Sequence, residues 1–128
     1  SIQPKFVLKS RDYILVYQSE ADVKNIKINQ SVFDEINLDP GGVCVTSHGN
    51  SCDFVSRFFT PQSSILEDPV TGSAHCSLLP YCSVVLKKNN LKAQQLSKRG
   101  GLLVCENKGS RVILEGSANV FLRESINF

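Results

Sequence analysis

Residues 67–75 bring together acids, a run of small residues and a histidine at the predicted start of a helix (Glu-Asp-Pro-Val-Thr-Gly-Ser-Ala-His). The first amide groups of a helix have no partners within it and lie at the positive end of its dipole. Because Gly72 and Ser73 are small, these amides could bind a carboxylate or phosphate without a side-chain cation. Pro69 disfavours the α region for Asp68 and therefore holds this acid in an extended segment just outside the helix.

A substrate that carries a carboxylate would be bound by this helix end in a defined way. Its acid group would contact the amides of the first turn, those of Thr71, Gly72, Ser73 and Ala74. The Ser73 hydroxyl would add a hydrogen bond. Asp68 would bind an amino group or hydroxyl of the same substrate, or move a proton if the cleft tunes its pKa. His75 is a further candidate, because histidine titrates near neutral pH.

Each of these residues also has a structural explanation. Ser73 could be only an N-cap, since serine is common at that position. His75 could be a hydrogen-bonded structural histidine. Glu67, as the extended neighbour of Asp68, should point to the opposite face, which favours an ion pair or a turn contact over a pair of catalytic carboxylates. Arg57 is the candidate partner, although it could also pair with Asp68 or face solvent.

Four further motifs accompany residues 67–75 along the chain. They are residues 53–61 (Asp-Phe-Val-Ser-Arg-Phe-Phe-Thr-Pro), Leu79-Pro80-Tyr81, residues 94–101 (Gln-Gln-Leu-Ser-Lys-Arg-Gly-Gly) and the segment from Arg111-Val112 to Glu115-Gly116. In this order and at these spacings the chain resembles the C-terminal half of the phenazine-biosynthesis-like (PhzF-like) isomerase family. Within these motifs Gln95 and Arg99 are equally well explained as structural hydrogen-bonding residues.

The resemblance implies a fold, an activity and site residues. It implies a diaminopimelate-epimerase-like architecture, in which each of two similar domains curls a sheet around a central helix and the active site lies between them. Family members are cofactor-independent isomerases that move a proton on carbon in small carboxylic acids. Asp68 and Ser73 match positions that contact substrate, and are the expected catalytic residues. Substrate binding is assigned to Thr71, Gly72, Ser73, Ala74 and His75.

The resemblance also implies a partner. The principal acid/base of the family is a glutamate in the N-terminal domain, which these 128 residues do not include. We therefore expect residues 1–128 to be a single C-terminal domain that works with the N-terminal domain of the same protein. The alternative is a non-catalytic binding or dimerisation domain that has lost activity and forms a homodimer through the surface its partner would cover.

Composition narrows the kinds of partner, metal site and location that remain possible for this protein. A net charge of +2 with 41% hydrophobic residues is typical of a soluble globular protein and favours neither nucleic acid nor a membrane as partner. Two histidines without ligand spacing and five cysteines without a C-x-x-C pair indicate no metal site. Cys44, Cys82 and Cys105 are predicted core residues, which favours a reducing, cytoplasmic location. Cys76 is the one candidate for a reactive thiol. The first residues have no apolar core, which argues against a signal peptide, and no Met, which fits a fragment of a longer chain or a processed or tag-cleaved end.

The elements that must position this chemistry are a helix and the strands around it. A helix is predicted over Ser73–Lys88, apolar on every side and therefore enclosed, with Pro80 either kinking it or dividing it in two. A short helix with a capping box is predicted from Ser19, a turn over Asp39–Gly42, a hairpin over Asn107–Ser110, and a bulge or close approach at Gly100-Gly101. Strands are predicted at Lys5–Lys9, Asp12–Tyr17, Gly42–Ser47, Phe54–Thr60, Ala93–Ser97, Gly101–Glu106, Arg111–Gly116 and Asn119–Arg123. This order predicts an α+β fold with a mostly antiparallel sheet curled around a central buried helix.

Overall fold

A curved sheet of eight strands packs against one long helix in the computed structural model, which describes residues 2–38 and 40–127. The strands are β1 (Phe6–Lys9), β2 (Tyr13–Val16), β3 (Val43–His48), β4 (Phe54–Phe59), β5 (Glu67–Asp68), β6 (Asn90–Gln95), β7 (Gly101–Asn107) and β8 (Val112–Glu115). The helices are α1 (Glu20–Asn25), α2 (Gln30–Phe33) and α3 (Gly72–Leu86). The predicted turn at Asp39–Gly42 begins at Asp39, which lies outside the described residues.

The sheet is mostly antiparallel, as predicted. Its strand order is β1-β2-β3-β4-β6-β7-β8, and the short β5 pairs with β4. Only the β2–β3 and β4–β6 pairs are parallel among the described strands. The two-residue β5 is antiparallel to β4, with Asp68 opposite Phe58, so it carries the chain from the sheet to the start of α3. The α+β fold class is therefore confirmed.

Helix α3 packs one face into the concave side of the sheet. Its buried residues include Ala74, Leu78, Leu79 and Cys82, which join a core with β2, β3, β4, β6 and β7. One helix continues through Pro80, so the alternative of two shorter helices is wrong. The chain leaves the helix through Lys87, which adopts a left-handed conformation (φ 54°).

The predicted enclosure of α3 on all sides is wrong on one side. Cys76, Pro80 and Val84 follow a helical spacing and are exposed, with Val84 at 77%. Strands β1 and β8 are the two ends of the strand order, so the sheet does not close around the helix. We call this exposed stripe the open seam. Because Pro80 cannot donate to the Cys76 carbonyl, exposure along the seam allows water to replace the missing hydrogen bond.

A second core lies on the other face of β2–β4 and is covered by α1 and α2. Val23 of α1 and Phe33 of α2 are buried there against Val45, Val55 and Phe59. The predicted capping box is confirmed. The Ser19 side chain accepts from the Asp22 amide, and the Asp22 carboxylate accepts from the Ser19 amide. Helix α2 has four residues and was not predicted.

Of the two elements predicted near the C-terminus, the hairpin is present and the last strand is not. The hairpin is confirmed, since β7 and β8 pair antiparallel and Gly109 adopts a positive φ of 75° in the turn. The strand predicted at Asn119–Arg123 is wrong, because residues 116–127 form no helix or strand. A strand needs a hydrogen-bonding partner, and these residues pair with no strand in the described part of the chain. None of the described helices is long and apolar enough to cross a membrane.

Candidate functional site

The N-terminal end of α3 opens to solvent at Gly72 and Ser73. Both residues are exposed, and a Cβ added to Gly72 would meet no atom within 4 Å. Among the described residues, no other element accepts a hydrogen bond from the Gly72 or Ser73 amide. These two amides are therefore available to an anion, as the helix-end argument requires.

The amide of Thr71 is already used. Thr71, not Ser73, is the N-cap residue, and its amide donates to Gln95 Oε1 at 2.8 Å. The explanation of Ser73 as only an N-cap is therefore wrong. So is the expectation that the Thr71 amide is free for a substrate.

Asp68 is held at the mouth of the helix by a small hydrogen-bond network. Its Oδ2 accepts from the Thr71 hydroxyl at 2.5 Å. The Gln95 Nε2 donates to the Asp68 carbonyl at 2.8 Å and to the Thr71 hydroxyl oxygen at 3.1 Å. Gln95 is 1% exposed, so these bonds form away from competing water. Gln95, Thr71 and Asp68 thus fix one carboxylate beside the free amides.

His75 does not reach the open side of the helix. It is 0% exposed and packs 5.8 Å from Phe54, centre to centre. Its Nδ1 lies 2.7 Å from the Thr71 carbonyl, which can only accept, so Nδ1 carries the proton. Burial lowers the pKa of the imidazole and favours its neutral form. The prediction that His75 binds substrate is therefore wrong for its side chain. Ala74 is also buried, which leaves only its main chain for a ligand.

Arg57 forms an ion pair with Glu67, one of the alternatives that the sequence left open for it. Arg57 Nε donates to Glu67 Oε1 at 2.7 Å, and its Nη2 donates to Oε2 at 3.0 Å. The Nη1 of Arg57 also donates to the carbonyls at the end of α1, those of Val23, Lys24 and Ile26. Both carboxylate oxygens of Glu67 are therefore used in a structural ion pair. The expected separation of Glu67 from Asp68 is confirmed, because the two neighbours bind different partners.

The segment from Ser97 to Gly101 packs against the residues before α3. The Ser97 hydroxyl donates to the Pro69 carbonyl at 2.7 Å and accepts from the Gly100 amide at 3.0 Å. A Cβ on Gly101 would lie 2.3 Å from Val70 Cγ2, so only glycine allows this approach. The close approach predicted at Gly100-Gly101 is confirmed. Lys98 and Arg99 line an open groove of about 760 Å³ beside Pro69.

Arg11 is the residue at this site that sequence reasoning missed. Its Nη2 donates to Ser73 Oγ at 3.1 Å and lies 3.1 Å from both carboxylate oxygens of Asp12. Asp12 is 1% exposed, and its Oδ1 also accepts from the Gly42 amide at 2.9 Å. The contact spans 62 residues, so no local pattern could predict it. The only feature of the sequence that pointed to Arg11 was its position beside Asp12 in the turn before β2.

The cysteines divide as expected. Cys44, Cys82 and Cys105 are buried in the α3 core, so their predicted role as core residues is confirmed. Burial raises the pKa of the Cys82 thiol to about 12 and that of Cys105 to about 11, which keeps both protonated. Cys76 is exposed on the open seam, one turn beyond Ser73.

A sheet curled around one helix, with an acid and two open amides at the helix N-terminus, is the arrangement expected for half of a PhzF-like isomerase. Residues 4–124 match the family described as Phenazine biosynthesis-like protein (PhzC-PhzF), and the chain belongs to this family. Isomerase function is supported at the level of the family, because several relatives are described as isomerases.

Relatives and solved structures agree with this assignment. An uncharacterized isomerase of Halalkalibacterium halodurans is 44% identical over 98% of this chain and 48% of its own length. One of Pseudomonas aeruginosa is 47% identical over 91% of this chain and 44% of its own length. The crystal structure of a putative phenazine biosynthesis PhzC/PhzF protein from Clostridium difficile has a TM-score of 0.87 and 43% identity, covering 98% of this chain and 48% of that one. The chain thus spans about half the length of the relatives it matches.

Proposed function

We propose that this chain is the C-terminal domain of a cofactor-independent isomerase or epimerase, and that it binds the carboxylate of a small substrate at the N-terminus of α3. One observation carries the proposal. Gly72 and Ser73 are exposed at the end of a helix whose other face packs into the core, beside the fixed carboxylate of Asp68. Family membership supports the reaction class.

The residues have distinct roles in this proposal. The substrate carboxylate accepts from the Gly72 and Ser73 amides, and the Ser73 hydroxyl donates to the same group. Asp68 uses Oδ2 for Thr71, so its Oδ1 faces the substrate, where it binds an amino group or hydroxyl or moves a proton. Thr71 positions Asp68 rather than touching the substrate. Ala74 contributes at most its amide. Glu67 takes no part, because Arg57 holds it.

A second domain completes the site. The relatives are about twice as long as this chain, and the family reaction needs a base opposite the bound carboxylate. The open seam supports such a partner. Phe6 and Leu8 of β1 are exposed, and so are Pro80 and Val84 of α3. Apolar side chains grouped in this way mark a surface that another domain covers. We propose the N-terminal domain of the same protein as that partner.

A homodimer is the second candidate function, because the same apolar residues could bury against a second copy. Sedimentation of the chain at high concentration separates the two. Monomeric behaviour would count against a dimerisation domain, whereas a stable dimer through the open seam would favour it over the enzyme. Val84→Asp should dissociate such a dimer. Val104→Asp on the outer face of β7 is the control, because Val104 is also an exposed valine.

Carboxylate binding can be tested on the chain itself. We expect acetate to shift the amide resonances of Gly72 and Ser73 in a nitrogen-15 spectrum, with the exposed Gly116 as an internal control. Equal or smaller shifts at Gly72 than at Gly116 would refute the anion site.

A measurement of turnover tests whether this chain supplies only one half of the active site. The chain is expected to give negligible solvent-deuterium incorporation into a panel of small amino and hydroxy acids. Co-expression with the amino-terminal half of the Halalkalibacterium relative should raise incorporation, and Asp68→Asn should lower it by about 10²-fold or more. Rapid deuterium incorporation catalysed by the chain alone would show that the active site does not need a second domain.

A further inference from the structure

We propose that Arg11 is the side-chain cation of the carboxylate site and that it positions the hydroxyl of Ser73 for donation to the ligand. This inference rests on the proposed function. It adds a residue from the turn between β1 and β2 to a site otherwise built from α3 and the segment before it.

The hydrogen bond between Arg11 and Ser73 has a fixed direction. A guanidinium can only donate, so Ser73 Oγ must be the acceptor of the 3.1 Å contact. The hydroxyl keeps its own hydrogen, and among the described residues no acceptor is found for it. Since Ser73 is exposed beside the open amides, that hydrogen can be given to an incoming carboxylate. Arg11 therefore prepares Ser73 to act as a donor.

Asp12 holds the guanidinium in place. Both oxygens of this buried carboxylate lie 3.1 Å from Nη2, and the Gly42 amide fixes Oδ1. Arg11 remains half exposed. Its Nε and Nη1 have no hydrogen-bond partner in the described part of the chain. Those groups form part of the planar fork that matches a carboxylate.

The charge balance favours a negatively charged ligand. The Asp12 carboxylate offsets the positive charge of Arg11, but the N-terminal end of α3 is itself positive. A bound carboxylate would lie within reach of both. The structural alternative is that Arg11 serves only to neutralise the buried Asp12. That alternative predicts effects on stability but none on ligand charge.

Two probes of the same shape separate these possibilities. Acetate and acetamide differ in charge, and their affinities can be measured from the Gly72 amide shift. Arg11→Gln should weaken acetate about tenfold and leave acetamide within about twofold, because a charge-assisted bond is lost. Arg11→Lys should restore part of the acetate affinity. Arg111→Gln, which removes the same charge from the exposed turn directly before β8, is the matched control.

A double-mutant cycle tests the positioning role. If Arg11 acts through Ser73, the effects of Arg11→Gln and Ser73→Ala on acetate affinity should not add. Should Arg11→Gln unfold the chain by leaving Asp12 uncompensated, the variant Arg11→Gln/Asp12→Asn removes both charges and takes its place.

The outcomes are distinguishable. Acetate binding at Gly72 that is unchanged by Arg11→Gln overturns this inference and leaves the proposed function intact. A wild-type chain that binds no acetate at Gly72 overturns both. A tenfold loss that is equal for acetate and acetamide overturns the role of charge.

Discussion

Gln95 caps the N-terminus of α3, because its Oε1 accepts a hydrogen bond from the Thr71 amide at 2.8 Å, although 24 residues separate the two in sequence. The Nε2 of the same Gln95 side chain donates to the Asp68 carbonyl and to the Thr71 hydroxyl oxygen. A single buried side chain on β6 therefore satisfies the helix end and fixes the backbone that carries the candidate acid.

Replacing Gln95 with methionine should destabilise the fold. The substitution keeps the volume but leaves the Thr71 amide and the Asp68 carbonyl unsatisfied, at a cost of about 2–3 kcal/mol in the free energy of unfolding. Urea unfolding measures the change. Gln94→Met on the adjacent, half-exposed position is the control and should change stability by about 0.5 kcal/mol or less. Equal effects of the two variants would contradict the capping role.

Gly101→Ala should destabilise through a clash with Val70. The added Cβ would lie 2.3 Å from Val70 Cγ2, and the branched valine cannot easily turn away. We expect a loss of about 1–3 kcal/mol, as for other overpacked sites. Val70→Ala should relieve it, so that the double variant is more stable than the sum of the single changes predicts. Gly116→Ala, where a Cβ meets open space, should be nearly neutral. Additive effects at 70 and 101 would show that another contact excludes the Cβ.

His75 should make the fold sensitive to mild acid. Burial lowers the pKa of this imidazole below the value of about 6.5 that it has when unfolded. Between the two pKa values the unfolded chain binds more protons, so stability rises with pH across this window. The contribution is complete above about pH 6.5 and is lost as pH falls toward the pKa of the folded state.

The comparison variant for this effect is His75→Gln, which removes the ionisable group. It should lower overall stability but reduce the pH slope between pH 5 and 7, measured by denaturant unfolding. An unchanged slope would show that the acid sensitivity does not come from His75.

The local patterns of the sequence predicted most of the fold. The capping box at Ser19, the hairpin after β7 and the helix from residue 72 are each set by residues within a few positions of one another, and each was found. The strand at Asn119–Arg123 failed, because a pattern of apolar residues specifies a tendency to pair but not the presence of a partner.

The candidate site was predictable only in part for the same reason. The acid, the glycine and the serine lie within six residues, and the helix start predicted the exposure of Gly72 and Ser73. The side chain of His75 lies on the buried face of α3, and sequence could not show which face of the helix turns inward. Arg11 and Gln95 reach the site across 62 and 24 residues. Such contacts depend on tertiary structure and leave no periodic signal.

The open seam along Cys76, Pro80 and Val84 has a consequence for how variants should be judged. Because the side chains of Cys76 and Val84 are exposed, replacing either with another residue that favours a helix should scarcely alter the unfolding of this chain. The effect of such substitutions would appear only when another protein surface covers the open seam. A screen that scores this chain in isolation would therefore pass defects that a complete assembly would not tolerate.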